Sequence, residues 1–275
     1  MSVLCLGEVW LELTADTAPE LAEAFRVQAG GWGADFCRRY AALGGQATLL
    51  ARLGADLFGR KLAAQLAADG VDCSRLCFTE AAPTPVVFTG TDSTISYRAH
   101  AAGLAFAPEQ LDTEVFRDVP VLCLSSEGLV DSPLRLTHLK ALTAARDAGA
   151  LCCYVPRLAQ AAPFWPQGDA LRQTALQFLS RADVLFLEES DLVALFGSRE
   201  PRTALFALFT GHVQLIFYSD SDKICAFTRN VMTSAVKKDQ NSALVLYRME
   251  KMGIRVMDLP KLRENMLKEL IDEEV

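Results

Sequence analysis

An α/β fold built on parallel strands is predicted by three observations. Short apolar runs alternate with helical patterns along most of the chain, glycine turns separate strand from helix, and a single hairpin-like stretch interrupts the rhythm without replacing it. With 275 residues, 51% of them apolar and 22% charged, the chain is long enough to bury one large core.

The elements follow in order. Val3 to Leu13 reads as a mostly apolar β run, and Gly30 to Gly45 carries a glycine turn into a helical pattern at Phe36, Tyr40 and Leu43. An apolar run at Ala47 to Leu53, a helix from Asp56 to Ala68 and a short strand at Leu76 to Thr79 come next. Val86 to Phe88, the turn-like Gly90 to Thr94 and Ile95 to Arg98 read as a hairpin, a small β flap. The alternation then resumes with a strand at Val119 to Leu124, a helix at Pro133 to Ala148 and a strand at Ala150 to Val155. A helix at Asp169 to Ser180, a buried strand at Val184 to Leu187, two short helical patterns and a strand at Val213 to Tyr218 continue it. The last part offers a strand at Lys223 to Thr228, a helix from about Gln240 to Met252, and a final helix opened by Asp258 and Pro260 with an apolar stripe at Leu262, Met266, Leu267 and Leu270.

Charge and cysteine usage exclude several classes. A formal net charge of -7 argues against a phosphate-backbone binder, so no nucleic-acid partner is expected. The opening residues lack a basic n-region and a cleavage site, and charged residues break every apolar run, so no membrane partner and a cytosolic location are expected. The eight cysteines are scattered and match no paired zinc pattern, so they read as reduced core thiols and no metal site is assigned to them. His100, His138 and His212 stand far apart and support neither a triad nor a metal site. Composition shifts near Gly211: beyond it five of the six methionines appear, and Gly253 is the only glycine.

One set of motifs is specific. Gly30-Gly31-Trp32-Gly33-Ala34-Asp35, then Ala41-Ala42-Leu43-Gly44, then Arg52-Leu53-Gly54-Ala55-Asp56-Leu57-Phe58-Gly59, ending at Asp69-Gly70-Val71-Asp72, resembles the first signature of the PfkB, or ribokinase-type, carbohydrate kinases. Gly7-Glu8, Tyr97-Arg98 with Ala101-Ala102, Pro163-Phe164-Trp165-Pro166 and the stretch from Ala182-Asp183 to Gly197 resemble further family segments in the right order. The resemblance covers most of residues 1 to 228. It implies one ribokinase-like domain, a three-layer α/β/α sandwich with a small β lid from segments of about 12–29 and 84–101, and a divergent tail of about 229–275. It also implies ATP-dependent phosphorylation of a sugar hydroxyl, of the fructose or 2-keto-3-deoxygluconate type, with ATP and Mg²⁺ as cofactors and a homodimer through the lid as a further option.

Residue by residue, the resemblance places Glu12, Gly30, Gly31, Asp35 and Arg98 at the sugar, and Glu188 and Asp191 near the nucleotide, where the family has an N-x-x-E motif. Phosphoryl transfer needs an aspartate to take the hydroxyl proton and backbone N–H groups to hold charge on the moving phosphoryl; the family supplies both through GAGD at a helix start. No GAGD follows Gly211; the nearest remnant is Asp239 in Lys237-Lys238-Asp239, and the glycines of the family's VTLGxxG turn are matched by Asp220 and Lys223. Plainer readings stand beside these: Glu12 as a strand-end carboxylate, Asp35 and Asp239 as helix caps, Arg98 as a solvated lid residue, and Trp10, Trp32 and Trp165 as core instead of a sugar wall. Three readings of activity stay open: a working sugar kinase with Asp239 as base, a non-catalytic sugar-binding or assembly module, and a truncated kinase carrying a foreign tail.

Overall fold

The computed structural model describes residues 2–165, 168–197 and 201–272, with side chains at 201–203 left out; Met1 and Pro166 of the sequence motifs lie outside the described residues. The chain divides into two compact units, Ser2–Asp112 with Glu127–Ala141, and Thr113–Ser126 with Leu142–Val275.

In the first unit the apolar run at the start is two strands, not one: β1 (Ser2–Leu6) and β2 (Trp10–Thr14). Gly7 to Val9 break it, and the halves join different sheets. β1 runs parallel to β4 (Gln46–Gly54), which pairs in parallel with β5 (Leu76–Thr79). β2 sits in a separate sheet between β3 (Arg26–Gly30), antiparallel to it, and β6 (Val86–Thr89), parallel to it, with β7 (Thr94–Tyr97) on the outer edge. This four-stranded sheet contains the expected hairpin, β6 and β7. β3 alternates polar and apolar residues over only four positions and is mostly exposed, and it was not legible as a strand.

Helix α1 (Trp32–Ala42) buries Phe36, Cys37 and Tyr40, and α2 (Leu57–Ala68) buries Leu62 and Leu66. The Gly-x-Asp-x-Phe-Gly part of the signature proves structural in its local role. Asp56 caps α2 by accepting the Gly59 N–H at 2.8 Å, and it also accepts the Thr84 N–H and hydroxyl, both at 2.8 Å. These bonds outweigh burial and hold its carboxyl below the usual range. A Cβ at Gly59 would stand 2.1 Å from the Gly54 carbonyl oxygen, so only glycine lets the helix start so close to β4.

In the second unit the strands run in the order β13-β12-β11-β10-β9-β8. β8 (Val121–Ser125), β9 (Leu151–Val155), β10 (Val184–Glu188) and β11 (Leu215–Ser219) are parallel; β12 (Lys223–Phe227) and β13 (Met232–Val236) turn antiparallel at the edge. β8 and β9 are buried at every position, the pattern of a parallel sheet covered on both faces. α3 (Pro133–Asp147) belongs to the first unit up to Ala141 and to the second from Leu142; the single-turn α4 (Leu158–Ala161), α5 (Gly168–Leu179), α6 (Glu189–Phe196) and α7 (Pro201–Ala207) lie in the second. α8 is Ser242–Lys251, close to expectation. The final helix differs: Asp258 and Pro260 belong to a separate 3-10 segment, Val256–Lys261, and α9 (Glu264–Ile271) starts after it. Pro260 lacks the N–H a continuing helix needs, which separates the two. α9 buries Leu267, Leu270 and Ile271 and packs on β12 and β13. Among the described residues no helix is long and apolar enough to cross a membrane.

All eight cysteines are free thiols; Cys5, Cys37, Cys123, Cys152 and Cys153 are buried. Burial pushes the Cys152 thiol up to about 12. In the native protein at pH 8 a thiol reagent is therefore expected to label Cys73, Cys77 and Cys225 and to spare the other five until denaturant is added, a pattern that peptide mass mapping reads directly.

Candidate functional site

The residues expected at the sugar lie in the first unit, and a buried charge stands among them. Arg98, directly after β7, is 2% exposed. Its guanidinium is paired with the Glu8 carboxylate, donates to the Glu127 carbonyl at 2.6 Å and lies over the Trp10 ring, 5.0 Å from its centroid. Glu8 is itself buried, and burial raises its carboxyl above the usual range while Arg98 pulls it back down. Glu127 is 6% exposed and accepts the Trp32 N–H at 2.7 Å. The glycines follow from this crowding. A Cβ at Gly30 would meet Trp10 Nε1 at 2.3 Å, one at Gly31 would meet the Glu8 carbonyl oxygen at 2.5 Å, and one at Gly103 would meet Glu8 Oε1 at 2.8 Å. Gly31 also has φ 102°, which side-chain-bearing residues avoid.

The other sugar-side residues surround this cluster with different partners. Glu12 is on β2 opposite Gln28, accepts from Gln28 Nε2 at 3.1 Å and from Thr89 Oγ1 at 3.2 Å, and so joins three lid strands. Asp35 is in the first turn of α1 and is ion-paired with Arg38 one turn on; the cap position is Gly31. Arg98 is no solvated lid residue, and Trp10 and Trp32 are each 5% exposed, core instead of wall. Sequence reasoning passed over Glu127 and gave Glu8 no role. The available signal was a carboxylate inside an apolar neighbourhood, which needs a partner.

The nucleotide-side residues lie in the second unit. Glu188 is exposed at the C-terminal end of β10. Asp191 is buried, and its two oxygens are already bonded: Oδ1 takes the Leu158 N–H at 2.8 Å and Oδ2 takes the Glu188 N–H at 2.9 Å. Burial raises its carboxyl to about 6. In the turn after β11, Asp220 Oδ1 accepts the backbone N–H groups of Asp222 at 2.8 Å and Lys223 at 2.9 Å. Those bonds hold its carboxyl below the usual range. The turn's own carboxylate thus takes up two of its backbone N–H groups. Asp239 is exposed in the loop before α8. It is not the cap: Asn241 is, accepting the N–H groups of Ala243 at 3.0 Å and Leu244 at 3.2 Å. Among the described residues no group of three or more His, Cys, Asp or Glu is placed to hold a metal ion. Gly253 is the only glycine after Gly211, so among the described residues of this tail no glycine cradle for a triphosphate forms. A cavity of about 590 Å³ adjoins the turn after β11, between β12, β13 and α9; it is lined by Asp222, Lys223, Lys238, Gln240 and Lys268 among others, so it takes in Lys223 of the turn and Lys238 beside Asp239 but not Glu188, Asp191 or Asp239.

Comparison with known proteins agrees with these motifs. The family described as pfkB family carbohydrate kinase matches residues 1–245. Among similar proteins are a probable fructokinase-4 of Arabidopsis thaliana, 29% identical over 82% of this chain and 71% of the relative, and fructokinase-1 of Zea mays, 32% identical over 71% of this chain and 62% of the relative. Among solved structures, a fructokinase with bound ATP from Xylella fastidiosa superposes with a TM-score of 0.87 at 24% identity, covering 98% of this chain and 89% of that one. A putative ribokinase II from E. coli gives 0.78 at 16%, covering 94% and 89%. The fold is therefore the ribokinase-like three-layer α/β/α arrangement with flanking helices.

Two outcomes follow from the site. Glu8→Ala leaves the Arg98 charge buried without its carboxylate and is expected to lower unfolding stability by about 3–5 kcal/mol in denaturant titrations, with Glu8→Gln losing less. Asp191 has a folded value, about 6, above its unfolded value of 3.8, so its contribution is fully present below the unfolded value and is lost as pH rises through about 6. The stability difference between wild type and Asp191→Asn, which cannot titrate, is expected to grow in favour of wild type by roughly 1 kcal/mol between pH 7.5 and pH 5.

Proposed function

This chain belongs to the pfkB family of carbohydrate kinases, and from that premise we propose that it recognises a sugar of the fructose or 2-keto-3-deoxygluconate type through the first unit. The family reaction is ATP-dependent phosphorylation of a sugar hydroxyl. The observation that carries the reading is the buried Glu8, Arg98 and Glu127 cluster, which joins the Gly30-Gly31 turn to the end of the lid. Glu12 and Asp35, the carboxylates beside that turn, supply acceptors for sugar hydroxyls. In a working kinase Asp239 would take the hydroxyl proton, and Glu188, exposed at its strand end, would face the nucleotide and Mg²⁺, with Asp191 holding the start of α6 in place.

A second reading, sugar binding without transfer, is favoured by the Asp220 turn, whose backbone donors are already taken. We infer that this chain recognises its sugar without transferring a phosphoryl group. The eight free thiols support a reducing compartment such as the cytosol. The exposed edge strand β7, with Tyr97 64% exposed, supports pairing of the lid with a second copy.

Calorimetry with fructose and 2-keto-3-deoxygluconate, run beside an ATP-coupled assay on wild type and Asp239→Asn, tests the proposal. Saturable binding of one sugar is expected, with no turnover in either protein. Turnover in wild type that Asp239→Asn abolishes would restore the kinase reading with Asp239 as base. Absence of binding by either sugar would remove the substrate assignment.

A further inference from the structure

We propose that Glu127 is a positioning residue for the sugar half, holding the first turn of α1 and the lid arginine in one register; the inference rests on the reading of that half given above. The first N–H groups of a helix have no partner within it and are met by a side chain at the cap. Here the cap is Gly31, which has no side chain and accommodates none, since a Cβ would stand 2.5 Å from the Glu8 carbonyl oxygen at a φ of 102°. The acceptor comes instead from Glu127, 95 residues on, whose Oε2 takes the Trp32 N–H at 2.7 Å. Its negative charge also faces the positive end of the α1 dipole.

The same residue holds the lid. The Glu127 carbonyl accepts from Arg98 Nη2 at 2.6 Å, and the same nitrogen is paired with the Glu8 carboxylate. Arg98 follows β7 directly, and the backbone then reverses through His100 at φ 62° and a bond from the Ala101 N–H to the Arg98 carbonyl at 3.0 Å. Thus one residue contacts two of the segments that carry sugar-side candidates, the start of α1 and the end of the lid. A carboxylate is more than stability requires here. One guanidinium is already met by Glu8, and adding a second buried carboxylate carries a desolvation cost that a neutral acceptor would avoid. Its placement is explained by what it aligns: a helix start and a lid, whose small displacement would spoil a set of hydroxyl contacts.

The test uses the full chain with Glu127→Ala, Glu127→Gln and Glu127→Asp, read by fructose calorimetry and by amide exchange in peptides spanning 31–35 and 94–98. Glu127→Ala is expected to weaken fructose binding about tenfold and to speed exchange in 31–35, while 94–98, whose bond to the main-chain carbonyl of residue 127 the substitution leaves in place, changes less and other helices keep wild-type protection. Glu127→Gln, whose amide oxygen still accepts from Trp32, should recover the protection of 31–35 and most of the affinity. Glu127→Asp shortens the reach, so it should shift 31–35 in the direction of Ala, and it decides the matter if Glu127→Ala does not fold. Unchanged exchange in 31–35, or a rise spread evenly over the chain, overturns the proposal. If wild type does not bind fructose, the sugar assignment fails by itself, and a selective change in 31–35 still upholds the positioning role while its absence removes it.

Discussion

Arg98 sets the terms for the first unit. A guanidinium at 2% exposure must be neutralised and hydrogen-bonded where it lies, because a lone buried charge would cost several kcal/mol. Meeting that demand draws in Glu8 from the turn between β1 and β2, the Glu127 carbonyl from the turn before α3, and the Trp10 ring. Once these groups are packed together, the segments beside them have no room for side chains at Gly30, Gly31 and Gly103. The motif glycines, the capping of α1 from a distance and the join between lid and strands are consequences of one buried cation.

The second unit uses buried carboxylates differently. Asp183 accepts the Cys152 N–H at 2.9 Å and pairs with Arg146, and Asp191 accepts the N–H groups of Leu158 and Glu188. Both carboxylates take over backbone donors at the ends of parallel strands, where the ladder leaves them unpaired. Asp220 does the same in the turn after β11. A carboxylate filling a set of N–H groups stabilises the turn and at the same time repels a second anion. A phosphate cradle, by contrast, leaves its backbone donors open.

Much of the fold was legible because buried parallel strands and amphipathic helices impose their periods on sequence. β4, β5, β10 and α2 lie close to where apolar runs and helical spacing put them. β3 and β13 were not, since both alternate polar residues at exposed edges, and a sheet edge needs no apolar signature. The site was less legible than the fold. Gly30 and Gly31 were placed correctly at a tight turn, and the Asp35 pair with Arg38 is an i,i+3 contact that helical spacing offers, but Asp191 is engaged by the start of α4, which sequence order does not reveal.

By itself the sequence determined the class of fold, the position of the lid hairpin, the glycine-rich start of α1 and the kinship that these carry. Those depend on local period, on turn chemistry and on a long ordered set of motifs. The tertiary structure alone decided which carboxylates meet a cation and which meet backbone N–H groups. Glu8, Arg98 and Glu127 are separated by 90 and 29 residues along the chain yet share one set of bonds. Whether a buried charge is partnered depends on distance in space, and one strand crossing or one turn of helix is enough to make or remove that contact.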